Sequence, residues 1–437
     1  MKRLAQQIAP PLGYDRRAVR MGIVHLGLGA FHRAHQAPVF DSLLSRGDLR
    51  WGIAGISIRS TDTVAALAAQ DNLYSLAVRD EAPLAPRLVG SIVETAVAAA
   101  DPVRIIALLA APDTHCATLT VTEKGYLLPE GDLTGTPPGL LALALEARRR
   151  AGLAPLTVIS CDNLTANGLA TRAAVLAAGT RLNLPDVALA WIAREVAFPS
   201  TMVDRITPAT TDVTIAQSSA ALGLEDRAAV WTEPFWQWVI EDKFAGVRPE
   251  LEGCGVEVVS DVVPWEEAKL RLLNGAHSTL AYHGLLVGYR FVHEAIADPN
   301  LRALVEAVWD EATSTLECGT IDVGAYRQAL LKRFSNAALP HRLIQIATDG
   351  SQKLPPRLIG TLIARRPAAS PSIARAVAGW IAALASEIPL ADPLIGRLRA
   401  LARRGDIAGI LSALGAEATI APDIAAAWLN HFSNRGL

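Results

Sequence analysis

Short apolar runs alternate with amphipathic stretches over the first part of the chain, and beyond about residue 260 the apolar positions settle into a helical rhythm. Residues 21–26 (Met-Gly-Ile-Val-His-Leu) predict a buried strand that runs into Gly27-Leu-Gly-Ala-Phe-His32 and then a helix through 43–44. A second strand is expected at 51–58, a helix at 61–69, and further strands at 74–78, 117–121 and 157–160, with an Arg-rich amphipathic helix at 140–151. The Pro-, Gly- and Thr-rich stretch 129–138 is a loop. Strands alternating with helices predict an α/β domain with a mainly parallel sheet over residues 1–260. Residues 261–437 predict a mostly α-helical domain, with helices at 265–286, 300–316, 326–334, 339–347, 356–364, 372–386, 393–402 and 407–414.

The helix opening that second domain has an unusual face. On a wheel of about 100° per residue with Lys269 at zero, Glu266, His277 and Asn274 fall at roughly 60°, 80° and 140°, on the side of Leu273, Ala276 and Leu280. Glu267, Arg271 and Ser278 take the opposite side. A lysine turned into apolar surroundings loses proton affinity and suits general-base work, and an amide and an imidazole beside it suit an oxygen-bearing substrate. The pattern also fits an amphipathic helix with a snorkelling lysine and satisfied core polar groups, so by itself it leaves both open.

Composition narrows the classes. The formal net charge is −2 with 19% charged and 51% hydrophobic residues, which gives no electrostatic footprint for nucleic acid or an anionic membrane. The mean hydropathy of +0.27 comes from Ala, Leu and Val spread over helices, and runs such as 376–385 are too short for a bilayer. Met1-Lys2-Arg3-Leu4 has a basic pair with no apolar core behind it, so no secretory signal is expected. Cys116, Cys161, Cys254 and Cys318 show no paired spacing, which points to a reducing cytoplasm rather than a zinc ribbon or disulfide framework. No apolar surface stripe demands a partner, so a monomer or weak homo-oligomer is expected.

Gly27-x-Gly29 after a strand suits a dinucleotide-binding turn, although His32 stands where a third glycine is usual. The second strand ends at Ser57-Ile58-Arg59-Ser60 without an acid for the ribose hydroxyls, and Asp62 is either that acid or a helix cap. NAD and NADP both stay open. His32 and His35 lack further ligands nearby, so a helix-start cluster at the cofactor turn is preferred to a metal site. Ser160-Cys-Asp-Asn163 follows a strand, where Asn163 can donate to a developing alkoxide. For Asn167-Gly168 an Asx turn is preferred, and for Asp204-Arg205 a surface ion pair.

Seven motifs then stand in order: Gly-x-Gly-x-Phe-x-Arg-x-His at 27–35, Thr-Val-Thr-Glu-Lys-Gly-Tyr at 120–126, Ser-Cys-Asp-Asn at 160–163, Phe-Pro-x-x-Met-Val-Asp-Arg-Ile at 198–206, Glu-Pro-Phe-x-Gln-Trp-Val-Ile-Glu-Asp at 233–242, Lys-x4-Asn-Gly-x-His at 269–277 and Asp-Gly-Ser-Gln-Lys at 349–353. Together they resemble the mannitol dehydrogenase family of long-chain polyol-specific dehydrogenases. The resemblance implies a Rossmann-like N-terminal domain, a helical C-terminal domain and metal-independent, nicotinamide-dependent oxidation of a secondary alcohol. It implies Lys269 as general base, Asn163 and Asn274 as amides polarising the reacting oxygen, Glu266 as proton relay and His277 as a substrate-hydroxyl contact. Asp204 and Lys353 match residues that grip an open-chain substrate. Gly27, Leu28, Gly29, Ala30 and Phe31, with Thr122 and Glu123, fall to the cofactor. Gln345 stands eight residues before Lys353 where the mannitol branch has Arg, which looks closer to the fructuronate reductase branch. The implied substrate is thus a C5–C6 sugar derivative, D-mannonate/D-fructuronate ahead of mannitol/fructose, or another sugar alcohol, aldonate or ketouronate, with NAD as cofactor and NADP not excluded.

Overall fold

The computed structural model describes the 437 residues apart from 81, 83, 318, 320 and 434–437. The described residues divide into two compact units, Met1–Val262 and Val263–Leu437. Of the cysteines, Cys318 lies outside the described residues, and Cys116, Cys161 and Cys254 are free thiols. Among the described residues no helix is long and apolar enough to cross a membrane.

Among the described residues the first unit holds eleven strands: β1 Ile23–Leu26, β2 Ile53–Ser57, β3 Tyr74–Val78, β4 Arg87–Val89, β5 Ile92–Val97, β6 Cys116–Leu119, β7 Thr157–Ser160, β8 Thr201–Asp204, β9 Val230–Thr232, β10 Gln237–Glu241 and β11 Glu257–Val259. Five of them form a parallel sheet in the order β5-β2-β1-β6-β7. β1, β2, β6 and β7 are buried on both faces, as helix-covered parallel strands must be, and the edge strand β5 is partly exposed. Ile23 packs into a core with Phe40, Trp51 and Trp238, while Val24 and Leu26 point to the other side with Ile105, Leu140 and Leu145. The expected strands become β1, β2, β6 and β7, whereas the edge strand β5 and the helix Pro102–Ala110 after it were not anticipated. Tyr74–Val78 leaves the parallel series and pairs with β4 and β9 in a separate three-stranded sheet, because local β propensity marks a strand without specifying its partner. The expected helix through 43–44 is also broken, into Ala30–Ala34 and Ala37–Ser45.

In the second unit, Gly275–Val287 and Pro371–Ala385 pack across a close crossing. A Cβ at Gly379 would lie 2.1 Å from His283 Nε2, so glycine sets the approach. Leu272, Leu280, Trp309, Phe334 and Trp380 form the surrounding core. Two expected helices differ in kind. The helix expected at 265–286 runs as Val263–Ala268, a π-helical turn Lys269–Asn274, and Gly275–Val287. The helix expected to begin at 356 instead starts at Gly350 and passes Pro355-Pro356 in a second π turn, Pro355–Ile359. Prolines lack the N–H that an α-helical step needs, and a widened turn accommodates them.

Candidate active site

Parallel pairing with Ile23 beside Ile53 and Cys116 aligns the carboxyl ends of β1, β2, β6 and β7. The segments 27–31, 58–60, 120–123 and 161–163 therefore leave the sheet at one edge, where ligands of open α/β sheets bind. Gly27 has φ +105, and a Cβ there would sit 2.2 Å from the Thr120 carbonyl oxygen, so only glycine permits this turn to pass β6. Gly29 differs. Its φ is −105 and its nearest neighbour to an added Cβ is the Gly27 oxygen at 3.8 Å. Nothing internal requires glycine at 29, so the open space lies on the side a diphosphate would approach, and the turn fits such a cofactor.

Other residues at this edge divide between cofactor contact and support. Leu28 turns inward against Gly55 with its N–H donating to the Ile56 carbonyl at 3.1 Å, and Phe31 stacks on His35 at 4.9 Å. His32 lies face to face with His25, ring centroids 3.3 Å apart, and His35 Nε2 pairs with the Gln237 carbonyl at 2.9 Å. The two histidines thus serve the turn separately. Arg59 is exposed at the tip of β2. Asp62 begins the next helix, and its N–H donates to Ser60 Oγ at 3.4 Å rather than its carboxylate capping the turn.

Thr122 and Glu123 are exposed, and Thr122 has φ +64. Sequence reasoning passed over the residue that holds them. Asp162 accepts the Val121 and Thr122 N–H groups at 2.9 and 2.7 Å and the Tyr126 hydroxyl at 2.7 Å. Burial raises its carboxyl above the usual range, against these donors. An acid directly after a buried β7, between Cys161 and Asn163, was the available signal. Asn163 itself is exposed beyond that strand. Asn167 corrects the expected Asx turn: its amide bridges the Thr201 carbonyl and N–H, both at 2.9 Å, and the Asp162 carbonyl at 3.0 Å. The expected Asp204–Arg205 surface pair is also corrected. Asp204 is buried at the end of β8, while Arg205 donates to the carbonyls of Ala34 and Glu233. Alternating strand directions send neighbouring side chains to opposite faces.

In the second unit the π turn changes the helical wheel. The Gly275 N–H reaches the Leu270 carbonyl, a five-residue step, so residues five apart stand where residues four apart stand in an α-helix. Asn274 then falls roughly 40° from Lys269 rather than 140°, and His277 roughly 20° on its other side, with Glu266 one α-turn before. On the corrected wheel the four groups fall within about 80° of one another instead of about 140°. Trp309 Nε1 donates to the Leu272 carbonyl inside it at 2.9 Å. Lys269 and Asn274 are partly buried and His277 is buried. Burial first, then His341, Arg333 and Arg357, hold the His277 imidazole well below its usual range, so it is neutral at physiological pH. Lys353 lies in the last turn of the Gly350–Leu354 helix with Nζ 3.4 Å from the Ile346 carbonyl, and Gln345 is exposed on Leu343–Ile346.

Comparison with known proteins decides the family. The Mannitol dehydrogenase Rossmann domain matches residues 21–253 and the Mannitol dehydrogenase C-terminal domain matches 261–428. The chain belongs to the mannitol dehydrogenase family. Its members are dehydrogenases acting on CH–OH groups, and among them D-mannonate oxidoreductase of Escherichia coli (strain K12) is 40% identical over 395 residues, 84% of this chain and 81% of the relative. Mannitol 2-dehydrogenase of Phaeosphaeria nodorum is 39% identical over 423 residues, 89% of this chain and 74% of the relative. The structure of Pseudomonas fluorescens mannitol 2-dehydrogenase, a ternary complex with NAD and D-mannitol, is 36% identical and matches with a TM-score of 0.83 over 98% of this chain and 95% of that one. Family membership accounts for the Rossmann-type parallel sheet followed by a helical unit.

Proposed function

We propose that this protein is an NAD-dependent, metal-independent oxidoreductase, with NADP not excluded, that interconverts a secondary alcohol and a ketone on an open-chain C5–C6 sugar derivative. The observation that carries the chemistry is the π turn Lys269–Asn274, which turns an amine and an amide to one side with His277 a turn away. During oxidation the Lys269 amine takes the hydroxyl proton and the Asn274 and Asn163 amides donate to the oxygen as it gains charge. NAD held at the Gly27–Phe31 turn would supply the hydride acceptor. Glu266 passes the proton between Lys269 and solvent, and neutral His277 holds a substrate hydroxyl. Asp204, Lys353 and Gln345 hold other parts of the chain. Gly27, Gly29 and the backbone through Phe31 receive the diphosphate, with Thr122 and Glu123 at the neighbouring loop. Three free thiols support a reducing, cytoplasmic setting.

D-mannonate and D-fructuronate are the preferred pair, supported by Gln345 together with Asp-Gly-Ser-Gln-Lys at 349–353 and by the D-mannonate oxidoreductase likeness. Mannitol and fructose are the second pair, supported by a likeness of nearly equal strength. Initial rates with both cofactors across polyols, aldonates, ketoses and ketouronates, run with and without a strong chelator, decide between them. Chelator-resistant mannonate oxidation is expected; comparable mannitol turnover without any of mannonate overturns the preferred pair.

A further inference from the structure

Ile, Val and Leu fill β1 except at one place, where the strand buries His25 completely. Its side chain shares a strand face with Ile23, and its neighbour across the ladder is Thr118 of β6. Both ring nitrogens are engaged. Nδ1 lies 2.8 Å from Thr118 Oγ1, while Nε2 lies 2.9 Å from Thr120 Oγ1 and 3.1 Å from the Gly27 carbonyl oxygen. Thr120 Oγ1 donates to that same carbonyl at 2.8 Å. These contacts fix the protons of the ring. A carbonyl only accepts, and Thr120 directs its one hydroxyl proton there, so Nε2 carries the hydrogen and Nδ1 accepts from the Thr118 hydroxyl. Burial keeps the ring neutral.

The Gly27–Leu28 peptide is thereby held at both ends. Its oxygen receives the His25 Nε2–H, the Thr120 hydroxyl and the Gly29 N–H, the last at 2.7 Å. Its nitrogen, on Leu28, donates to the Ile56 carbonyl at 3.1 Å, and the Gly27 N–H reaches the same oxygen at 2.8 Å. The shape of the turn is therefore set by β1, β2 and β6 before any cofactor arrives. A free carbonyl oxygen in this turn would set its partial negative charge against an approaching diphosphate. Donors from His25 and Thr120 draw the oxygen to the β6 side and occupy its lone pairs. An aliphatic residue at 25, the usual choice in a parallel strand, would remove one of the two side-chain donors. The His32 ring covers the imidazole face to face, centroids 3.3 Å apart, which ties it to the helix Ala30–Ala34 that follows the turn.

We propose that His25 is a positioning residue for the cofactor turn: held as its Nε2–H tautomer by Thr118, it acts with Thr120 to fix the Gly27 carbonyl and so shapes the turn for the NAD diphosphate. Its effect passes through Gly27. The assignment rests on the diphosphate role proposed above for the turn and adds the side chain that holds it.

Glutamine and asparagine separate the two ends of the ring, since a glutamine amide reaches the place of Nε2 and an asparagine amide only that of Nδ1. NADH fluorescence titrations and the NAD dependence of initial rates are measured on full-length His25→Gln and His25→Asn, with thermal melts to establish folding. His25→Gln keeps a donor for the Gly27 carbonyl, and its NADH Kd is expected within about twofold of wild type. His25→Asn loses that donor. Its NADH Kd and its KM for NAD are expected to rise about fivefold or more, as for one lost hydrogen bond, with kcat at saturating NAD within about twofold. Equal NADH affinity in the two folded variants overturns the proposal, as does a fall in kcat with unchanged KM. Side-chain 15N NMR of the wild-type protein, with His25 assigned through its own backbone, is expected to show a protonated Nε2 and a bare Nδ1; the opposite tautomer overturns the proposal even where a variant fails to fold. Gly29→Ala separates the two possible failures. Wild-type NADH affinity in that variant removes the diphosphate role of the turn and the positioning role with it. Weakened affinity there, with no difference between the His25 variants, removes the positioning role alone.

Discussion

Gly27 and Gly29 stand two residues apart in one turn, yet alanine at each should act on a different property. At Gly27 the left-handed φ of +105 costs about 1–3 kcal/mol for a residue with a Cβ. The 2.2 Å approach to the Thr120 oxygen adds an overlap of about 1–3 kcal/mol more. The total of about 2–6 kcal/mol, at roughly 2–4 °C per kcal/mol for a unit of this size, lowers the melting temperature of the first unit by roughly 4–24 °C. At Gly29 the φ of −105 suits alanine, and the added Cβ meets nothing nearer than the Gly27 oxygen at 3.8 Å. Gly29→Ala should therefore leave the melting temperature within about 2 °C, a change of at most about 0.5 kcal/mol. Its methyl group would stand where the diphosphate backbone approaches, so NADH affinity should fall about tenfold or more, equivalent to about 1.4 kcal/mol. Thermal melts and NADH fluorescence titrations of both variants separate the effects. Wild-type NADH affinity in Gly29→Ala would refute the diphosphate approach, and an unshifted melt in Gly27→Ala would refute the tight passage at β6.

Two further outcomes follow from the buried polar groups. Trp309→Phe leaves the Leu272 carbonyl of the π turn without its indole donor, which should cost about 1–3 kcal/mol in the helical unit. Because that carbonyl shapes the turn bearing Lys269, kcat should fall alongside the melting temperature; a stability loss with unchanged kcat would uncouple the turn from the chemistry. Burial holds His25 down to about 3 and His32 well below its usual 6.5. The unfolded chain protonates both near pH 6.5 and the fold does not, so stability is full above that pH and declines as pH falls toward 3. The decline reaches up to about 1.4 kcal/mol per pH unit for each imidazole. Chemical denaturation of the first unit at about pH 7 and about pH 5 should show it, and equal stability at the two would contradict neutral burial of the pair.

Much of the scaffold was legible because its signals are local. β1, Gly27-x-Gly29 and the long helical second half follow from apolar runs, glycine and proline. What sequence periodicity missed was geometry set by tertiary packing. A wheel of uniform pitch cannot register a π turn, so the relation of Lys269 to Asn274 was drawn too wide; the Leu272 carbonyl finds its partner in Trp309, 37 residues away. Pro355-Pro356 marked a helix start by local rule, whereas the helix continues through it. Asp162 went unnoticed because its value lies in backbone donors at 121 and 122, on another strand's exit. Asp204 and Arg205 read as a pair only until strand alternation separates them. The substrate was the least legible feature, since relatives named for mannonate and for mannitol stand at nearly equal identity.

The most direct test is mannonate-dependent NADH formation in Lys269→Ala alongside its NADH affinity. A loss of about a hundred- to ten-thousand-fold in kcat with affinity within about twofold of wild type is expected for removal of the general base. Turnover retained at the wild-type rate would contradict the assignment of the chemistry to the π turn.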